Sequence, residues 1–387
     1  SLHDFRKTPD DLEAVHRHLS SLDPDIVKIC TMANHPHDNL RMMQLISRSK
    51  VPTIGICMGD IGVPTRILAA RFGAPFTYAT FHHERALAPG QLSYQQMTEV
   101  YHYDRINPET DVFGVIADPI GHSLSPLIHN TAFQHLKLNK VYVPFRVPRE
   151  GLAQFIADAP ELGVKGLSVT IPHKETVVGH LTKADGAVRG IGATNTVVFE
   201  GDQRLGHNTD YRAAMSSLEE ALGTAAGGRN PLKGKMALVL GSGGVGMAIA
   251  YGLLRREAHV VLTDGVAAKA KRLAQRFECR SAEWSLRHSV PADIIVNCTP
   301  VGMHPNVDET PFDRRHMKPS MVVFDAVYNP ENTLLIKEAR AQQCKVVTGV
   351  DMFVRQACLQ FELFTGQEGP ADLMREVIRR AIAAAKY

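Results

Sequence analysis

The stretch ALVLGSGGVGMA, residues 237–248, admits few folds. An aliphatic run ends at Leu240, Gly241, Gly243, Gly244 and Gly246 follow, and a helix-forming run comes next. A strand that enters a helix through glycines lets backbone N–H groups and a helix N-terminus approach a pyrophosphate. GSGGVG satisfies the GxGxxG spacing, and Gly244 adds a fourth glycine. The next apolar run, HVVLTD, ends at Asp264, about 20 residues further on, where an acidic side chain suits the ribose 2′-hydroxyl of NAD and repels the 2′-phosphate of NADP. Lys269, Lys271 and Arg272 follow within reach of a phosphate, so the cofactor expected is NADP or NAD, with Asp264 leaning towards NAD. Residues 236–254 are uncharged and long enough to span a bilayer, but the central glycines and Ser242 favour strand, turn and helix.

The rest of the 387 residues follow the same alternation of short apolar and amphipathic runs, which predicts an α/β class with parallel sheets. Over 1–106, SLHDF, DIVKIC, TIGICMG and FTYATF each precede a helical pattern, giving four βα units, and Thr8 is the expected N-cap of the first helix. YHYDRINPETD reads as a linker, and VFGVIAD, KVYVPFRV and KGLSVTI are strands of a small α/β domain over 112–222. A Gly-rich connection leads to a Rossmann-like domain over 230–351, and residues 352–387 are helical and expected to pack back on the substrate domain.

Net charge is +3, with no basic stripe and no aromatic platform, which argues against nucleic acid as a partner. The six cysteines, Cys30, Cys57, Cys279, Cys298, Cys344 and Cys358, lack CxxC spacing and read as free thiols in a reducing, cytoplasmic compartment, with no metal site. The charged N-terminus is not a signal peptide, and no membrane association is expected.

Three polar positions stand near apolar strands between 166 and 215. Lys174 follows the strand of GLSVTIPHKETV, Asp210 lies in LGHNTDYRAAM, and Asn195 in GATNTVV falls between them. A lysine and an aspartate brought together can share proton duty on a substrate hydroxyl while a nicotinamide takes the hydride. Each alone reads better as a turn or surface residue than as a functional one.

As a set these motifs resemble shikimate dehydrogenase across residues 112–387. GVIADPIGHSLSP resembles the family's opening signature, which implies that Ser123 and Ser125 hold a substrate carboxylate. LSVTIPHK carries the family's lysine as Lys174, with Thr170 nearby, and GATNTVV and GHNTD supply Asn195 and Asp210. NCTPVGM is similar to the turn beside the nicotinamide, through Thr299 and Met303. DAVYNPENTLL and TGVDMFVRQACLQFELFTG resemble the closing block, where Tyr328, Gly349 and Gln356 line the cleft. The resemblance implies reversible reduction of 3-dehydroshikimate to shikimate, with Lys174 and Asp210 as the acid–base pair. The sequence departs from the family at Ser168, usually Asn, and at Asp264, Gly265 and Val266, where NADP-dependent members often carry Asn-Arg-Thr.

The N-terminal segment resembles the second half of a type I 3-dehydroquinate dehydratase, a TIM barrel. SLHDFRKTP carries the family's histidine as His3, DIVKIC its Schiff-base lysine as Lys28, MGDIGVPTR its carboxylate-binding arginine as Arg66, and APGQL its glutamine as Gln91. Leu87 stands where the family often has serine. A desolvated lysine releases its proton more readily and its amine can attack a ketone, with His3 moving protons. A lysine snorkelling from a strand end is the alternative reading of Lys28.

The fold expected is therefore a partial (β/α) TIM-barrel piece, an α/β substrate domain and a Rossmann-like domain. Four βα units cannot close a barrel, so dehydratase activity on 3-dehydroquinate is expected to be small, and self-association or docking through the half barrel is a candidate interaction. Other readings are a quinate/shikimate dehydrogenase and a catalytically silent regulator of quinate use.

Overall fold

The computed structural model of the chain describes residues 1–81, 88–121, 123–223 and 230–384. The chain divides into two compact units, Ser1–Lys183 with Thr196–Gly206, and Ala184–Asn195 with His207–Tyr387.

The first unit opens on parallel strands β1 (Leu2–Asp4), β2 (Val27–Met32) and β3 (Thr53–Met58), in that order, connected through α1 (Leu12–Ser20) and α2 (His37–Arg48), with α3 (Val63–Leu68) after β3. All six residues of β3 are buried, the continuous apolar pattern of a parallel strand covered on both faces. FTYATF departs from the expected fourth strand. Among the described residues it pairs through an isolated bridge, Thr80 to Ser93, in which Thr80 N–H donates to the Leu92 carbonyl at 2.9 Å and Tyr94 N–H to the Thr80 carbonyl at 2.7 Å. A local loop satisfies those backbone groups instead of the β3 edge. Thr8 is not the cap of α1 either: Asp11 accepts from Ala14 N–H at 2.7 Å, and the Thr8 hydroxyl is buried against Thr31 and the Met32 carbonyl. An ionised side chain at the helix start outcompetes a hydroxyl needed between layers.

The same unit continues through β4 (Asp111–Ala117), α4 (Ser125–His135), β5 (Lys140–Arg146), α5 (Leu152–Asp158), β6 (Val164–Val169), β7 (Lys183–Ala184), β8 (Thr196–Glu200) and β9 (Gln203–His207). Their strand order is β5-β4-β6-β8-β9-β7, with β8 antiparallel to β6. Side chains alternate across this sheet. Val112 and Ile116, Val141, Val143 and Phe145, and Leu167 and Val169 join one core with Leu40, Met43, Leu68 and Phe155. The N-terminal strands and the substrate sheet thus share a single hydrophobic interior. Polar contacts line its rim: His37 Nδ1 lies 2.7 Å from Asp158 Oδ2, Arg146 is 3.2 Å from Asp60, and Arg71 Nε donates to the Thr110 carbonyl at 2.9 Å.

The second unit holds α6 (Gly186–Ile191) and α7 (Thr209–Leu222), then β10 (Met236–Leu240), α8 (Gly244–Arg255), β11 (His259–Thr263), α9 (Ala267–Phe277), β12 (Arg280–Ser281), β13 (Ile294–Asn297), β14 (Val322–Asp325), α10 (Leu334–Ala341), β15 (Lys345–Val347), α11 (Gly349–Thr365) and α12 (Ala371–Ala384). Its parallel sheet runs β12-β11-β10-β13-β14-β15, the doubly wound order in which ligands bind at the reversal between the first and fourth strands. Val239, Leu262 and Val296 belong to the core on one face, and Leu240, Val261 and Ile295 to that on the other. α11 packs on α7, and α12 packs on α11. Among the described residues no helix is long and apolar enough to cross a membrane, and residues 236–254 form a strand, turn and helix.

Candidate active site

The glycine-rich turn leaves β10 at the reversal point of the doubly wound sheet. Gly241 has φ 103°, and a Cβ on Gly246 would sit 2.1 Å from the Gly241 carbonyl oxygen, so the turn closes on itself only without side chains. Gly243 precedes α8 in an extended conformation and Gly244 begins it, leaving that helix's first N–H groups facing the turn. The Ser242 hydroxyl oxygen is buried and has no hydrogen-bond partner among the described residues. Open N–H groups, an orphaned hydroxyl and a helix N-terminus suit a pyrophosphate. Asp264, directly after β11, accepts from Ser242 N–H at 2.8 Å and from Val266 N–H at 2.8 Å, so its carboxylate is fastened to the turn.

A polar network fixes the loop after β13. Asn297 Oδ1 accepts from Thr299 N–H at 3.0 Å and Oγ1–H at 2.7 Å, while its amide donates to Asp325 Oδ1 at 2.9 Å and the Val301 carbonyl at 3.1 Å. Asp325 also accepts from Thr333 Oγ1–H at 2.6 Å and Val327 N–H at 3.0 Å. Burial pushes its pKa up to about 6. Met303 ends this loop largely exposed. Tyr328 packs its ring 4.7 Å from that of Phe353, and burial raises its pKa. Gly349 starts α11 so close to β14's exit that a Cβ would lie 2.2 Å from the Val327 carbonyl oxygen. Gln356, further along α11, is buried and donates to the Phe353 carbonyl at 3.0 Å.

At the start of α7, Asn208 caps the helix by accepting from Tyr211 N–H, and Asp210 occupies the first turn, buried. Asn195 donates to Asp210 Oδ1 at 2.9 Å and to Thr209 Oγ1 at 2.8 Å, and accepts from Thr209 N–H at 2.8 Å. Gln360 of α11 donates to the Asn195 carbonyl at 3.0 Å. Asn195 and Asp210 are thus held together within the second unit.

Lys174 belongs to the first unit, half-buried in the turn after β6. That turn is pinned by Thr170 N–H on the Ile116 carbonyl at 3.2 Å and by buried His173, whose Nε2–H donates to the Val147 carbonyl at 2.6 Å. Ser123 accepts from Ser125 N–H at 3.3 Å, and Ser125 opens α4, buried. Ser168 lies on β6, buried, and accepts from the Tyr142 hydroxyl at 2.6 Å.

In the N-terminal strands the register places His3 opposite Cys30, and Lys28 opposite Ile54, so His3, Lys28 and Cys30 share a face. Lys28 Nζ sits 4.0 Å from the Tyr78 ring centroid, half-buried rather than in a dry core, and His3 is exposed. Arg66 is buried and reaches the Pro89 carbonyl at 3.4 Å, and burial lowers its pKa. Gln91 follows in the same loop, half-buried. Leu87 lies outside the described residues. Among the described residues no cluster of His, Cys, Asp or Glu could hold a metal, and all six cysteines are free.

Sequence reading missed the Tyr142 hydroxyl, His173 as an anchor and the Asp325 network. Only the histidine before Lys174 and the NCT tripeptide offered a signal, since the partners of each are distant in sequence.

A doubly wound domain with a glycine-rich first turn, joined to an α/β unit bearing hydroxyls and a lysine beyond its strand ends, defines a nicotinamide-dinucleotide-dependent dehydrogenase. Residues 1–108 match the type I 3-dehydroquinase family, 115–197 the shikimate dehydrogenase substrate binding domain, and 349–379 the shikimate 5′-dehydrogenase C-terminal domain. A shikimate dehydrogenase (NADP(+)) of Desulforamulus reducens is 37% identical over 72% of this chain and 98% of its own length. A crystal structure of the Thermus thermophilus shikimate 5-dehydrogenase with NADP(H) and shikimate superposes with a TM-score of 0.63 at 32% identity, covering 70% of this chain and 100% of that one. The chain belongs to the shikimate dehydrogenase family, and it carries a type I dehydroquinase segment ahead of the dehydrogenase. A chloroplastic bifunctional 3-dehydroquinate dehydratase/shikimate dehydrogenase of Arabidopsis thaliana is 36% identical over 98% of this chain, which spans 65% of that relative's length.

Proposed function

We propose that the chain catalyses the reversible, NAD(P)-dependent reduction of 3-dehydroshikimate to shikimate. The observation that carries this reading is the buried Asn195–Asp210 pair at the head of α7, which holds a carboxylate ready for a substrate hydroxyl. In the reducing direction Lys174 gives its ammonium proton to the substrate oxygen as that oxygen becomes a hydroxyl. Asp210 orients the hydroxyl by accepting its hydrogen bond. Ser123 and Ser125 donate to the substrate carboxylate, which the N-terminus of α4 also favours. Thr170, Asn195, Tyr328 and Gln356 hold the ring. A bound nicotinamide supplies the hydride. Gly241, Gly243, Gly244 and Gly246 receive its pyrophosphate, and Thr299, Met303 and Gly349 flank its reactive end. Asp264 faces the adenosine ribose and favours NAD over NADP.

The decisive test is absorbance at the reduced-nicotinamide band with shikimate, or quinate, and either cofactor. Turnover with shikimate supports the assignment. A larger rate with quinate moves it to the quinate/shikimate reading, and a silent trace from folded protein favours a regulator. A large NADP preference ends the NAD reading.

For the N-terminal segment, His3, Lys28, Arg66 and Gln91 are the dehydratase residues, acting through a Schiff base on Lys28 with 3-dehydroquinate. Little such activity is expected from this chain alone, and borohydride trapping of an adduct on Lys28 would overturn that. Phe5, Phe76, Tyr78, Phe81 and Tyr94 are each exposed there, and Phe76 and Tyr78 adjoin, which supports docking or self-association. The six free thiols favour a reducing compartment such as the cytoplasm.

A further inference from the structure

Tyr142 sits in β5, fully buried, among side chains that hold it from several sides. Asn130 grips its backbone, accepting its N–H at 2.7 Å and donating to its carbonyl at 2.8 Å. His129 stacks on its ring with centroids 4.4 Å apart and planes 4° from parallel. The Tyr142 hydroxyl donates to Ser168 Oγ at 2.6 Å, and the Ser125 side chain lies beside it. Ser125, His129 and Asn130 all belong to α4, Ser125 and His129 one turn apart on the same face. Ser168 reaches the phenol from β6, on the far side of β4 from β5.

The chemistry of this trio follows from proton counting. Each hydroxyl has one proton to give. A carboxylate only accepts, so a serine that holds one must direct its proton outward and satisfy its own oxygen from behind. The geometry points to Tyr142 as a positioning residue for substrate binding: its phenolic proton turns from Ser168 to Ser125 when a carboxylate arrives, and Ser168 then donates to the phenol. Three O–H groups rotate, and no bond to hydrogen is broken. This rests on the reading of Ser125 as a carboxylate donor. Burial raises the phenol's pKa, so its proton stays in place at working pH, and the stacked His129 is neutral because burial pushes its pKa down to about 3. Polarised in this way, Ser125 is a stronger donor than a serine with an empty oxygen behind it.

A double-mutant cycle with Tyr142→Phe and Ser125→Ala tests this, with KM for shikimate as the readout, kcat as the control and melting temperature confirming the fold. Tyr142→Phe is expected to raise KM by roughly fivefold to tenfold, the effect of about one hydrogen bond, and to change kcat by less than about twofold. In the Ser125→Ala background the same change should leave KM unmoved, which a merely structural tyrosine would not do. An equal rise in both backgrounds, or none in either, overturns the relay. If Ser125→Ala itself leaves KM unchanged, the carboxylate reading fails, and the relay fails with it. Ser168→Ala, the other end of the chain, takes the place of Tyr142→Phe in the same cycle if the latter does not fold.

Discussion

Asn195 donates one amide proton to Asp210 Oδ1 at 2.9 Å and the other to Thr209 Oγ1 at 2.8 Å, while its carbonyl oxygen accepts Thr209 N–H at 2.8 Å. The backbone donor fixes which way the amide points, and the amide fixes the carboxylate. Asp210→Asn should lower kcat by about 10²- to 10⁴-fold, the usual range for a lost acid–base group, with a smaller change in KM. Asn195→Asp places a second carboxylate against the first. Its expected signature is an upward shift of the acidic limb of the kcat/KM profile, because like charges raise a carboxyl pKa. A profile that stays in place would remove Asp210 from the proton chemistry.

Asp264 is fastened to the glycine-rich turn through Ser242 N–H at 2.8 Å. Asp264→Asn keeps an acceptor for that N–H and removes the charge. The ratio of kcat/KM with NADP to that with NAD should rise by about tenfold, roughly 1.4 kcal/mol of relieved repulsion. An unchanged ratio places cofactor choice elsewhere, first of all in Lys269, Lys271 and Arg272.

A methyl on Gly246 would meet the Gly241 carbonyl oxygen at 2.1 Å, and neither backbone can yield without opening the turn. Gly246→Ala should raise KM for the dinucleotide by at least about tenfold, the order expected when a phosphate-binding turn loses its close approach. Far-UV circular dichroism should stay near wild type. Normal dinucleotide affinity in this variant would mean that the turn is not the pyrophosphate site.

Asp325 gives the second unit a pH dependence of defined sign. Its pKa rises from 3.8 to about 6 on folding, chiefly through burial. The folded state therefore holds a proton more tightly than the unfolded one. The stability this contributes is complete below about pH 4 and is lost as pH rises through 6. Two pKa units correspond to about 3 kcal/mol. In Asp325→Asn the carboxyl no longer titrates, so the difference in unfolding free energy between wild type and variant should slope between pH 4 and 6 and be flat above. Urea titrations across that range measure it, and a constant difference would contradict the burial argument.

Leu68 is fully buried in α3, within the core that the N-terminal strands share with the substrate sheet. Leu68→Ala should cost about 2–5 kcal/mol of stability. Because the core is shared, dehydrogenase activity should be lost at lower temperature in the variant, although Leu68 lies in the dehydroquinase-like segment. Thermal inactivation identical to wild type would mean that the two parts unfold independently.

The features legible in the sequence are those whose physical cause is local. GSGGVG must turn tightly because its glycines are close neighbours, HVVLT must end where Asp264 begins, and the spacing of apolar runs sets parallel strands between helices. Local reading failed where a distant partner took over: Thr8 went to Thr31 instead of a helix start, and FTYATF paired with its own loop rather than with β3. What the tertiary structure alone decided is which polar groups meet. Tyr142 and Ser168 are 26 residues apart, Asn297 and Asp325 are 28, and His37 and Asp158 are 121. A hydrogen bond depends on distances of tenths of an ångström, which packing sets and residue order does not encode in any short window. The sequence by itself determined the strands, the turns and the kinds of side chain available, and the fold decided which proton each of them could reach.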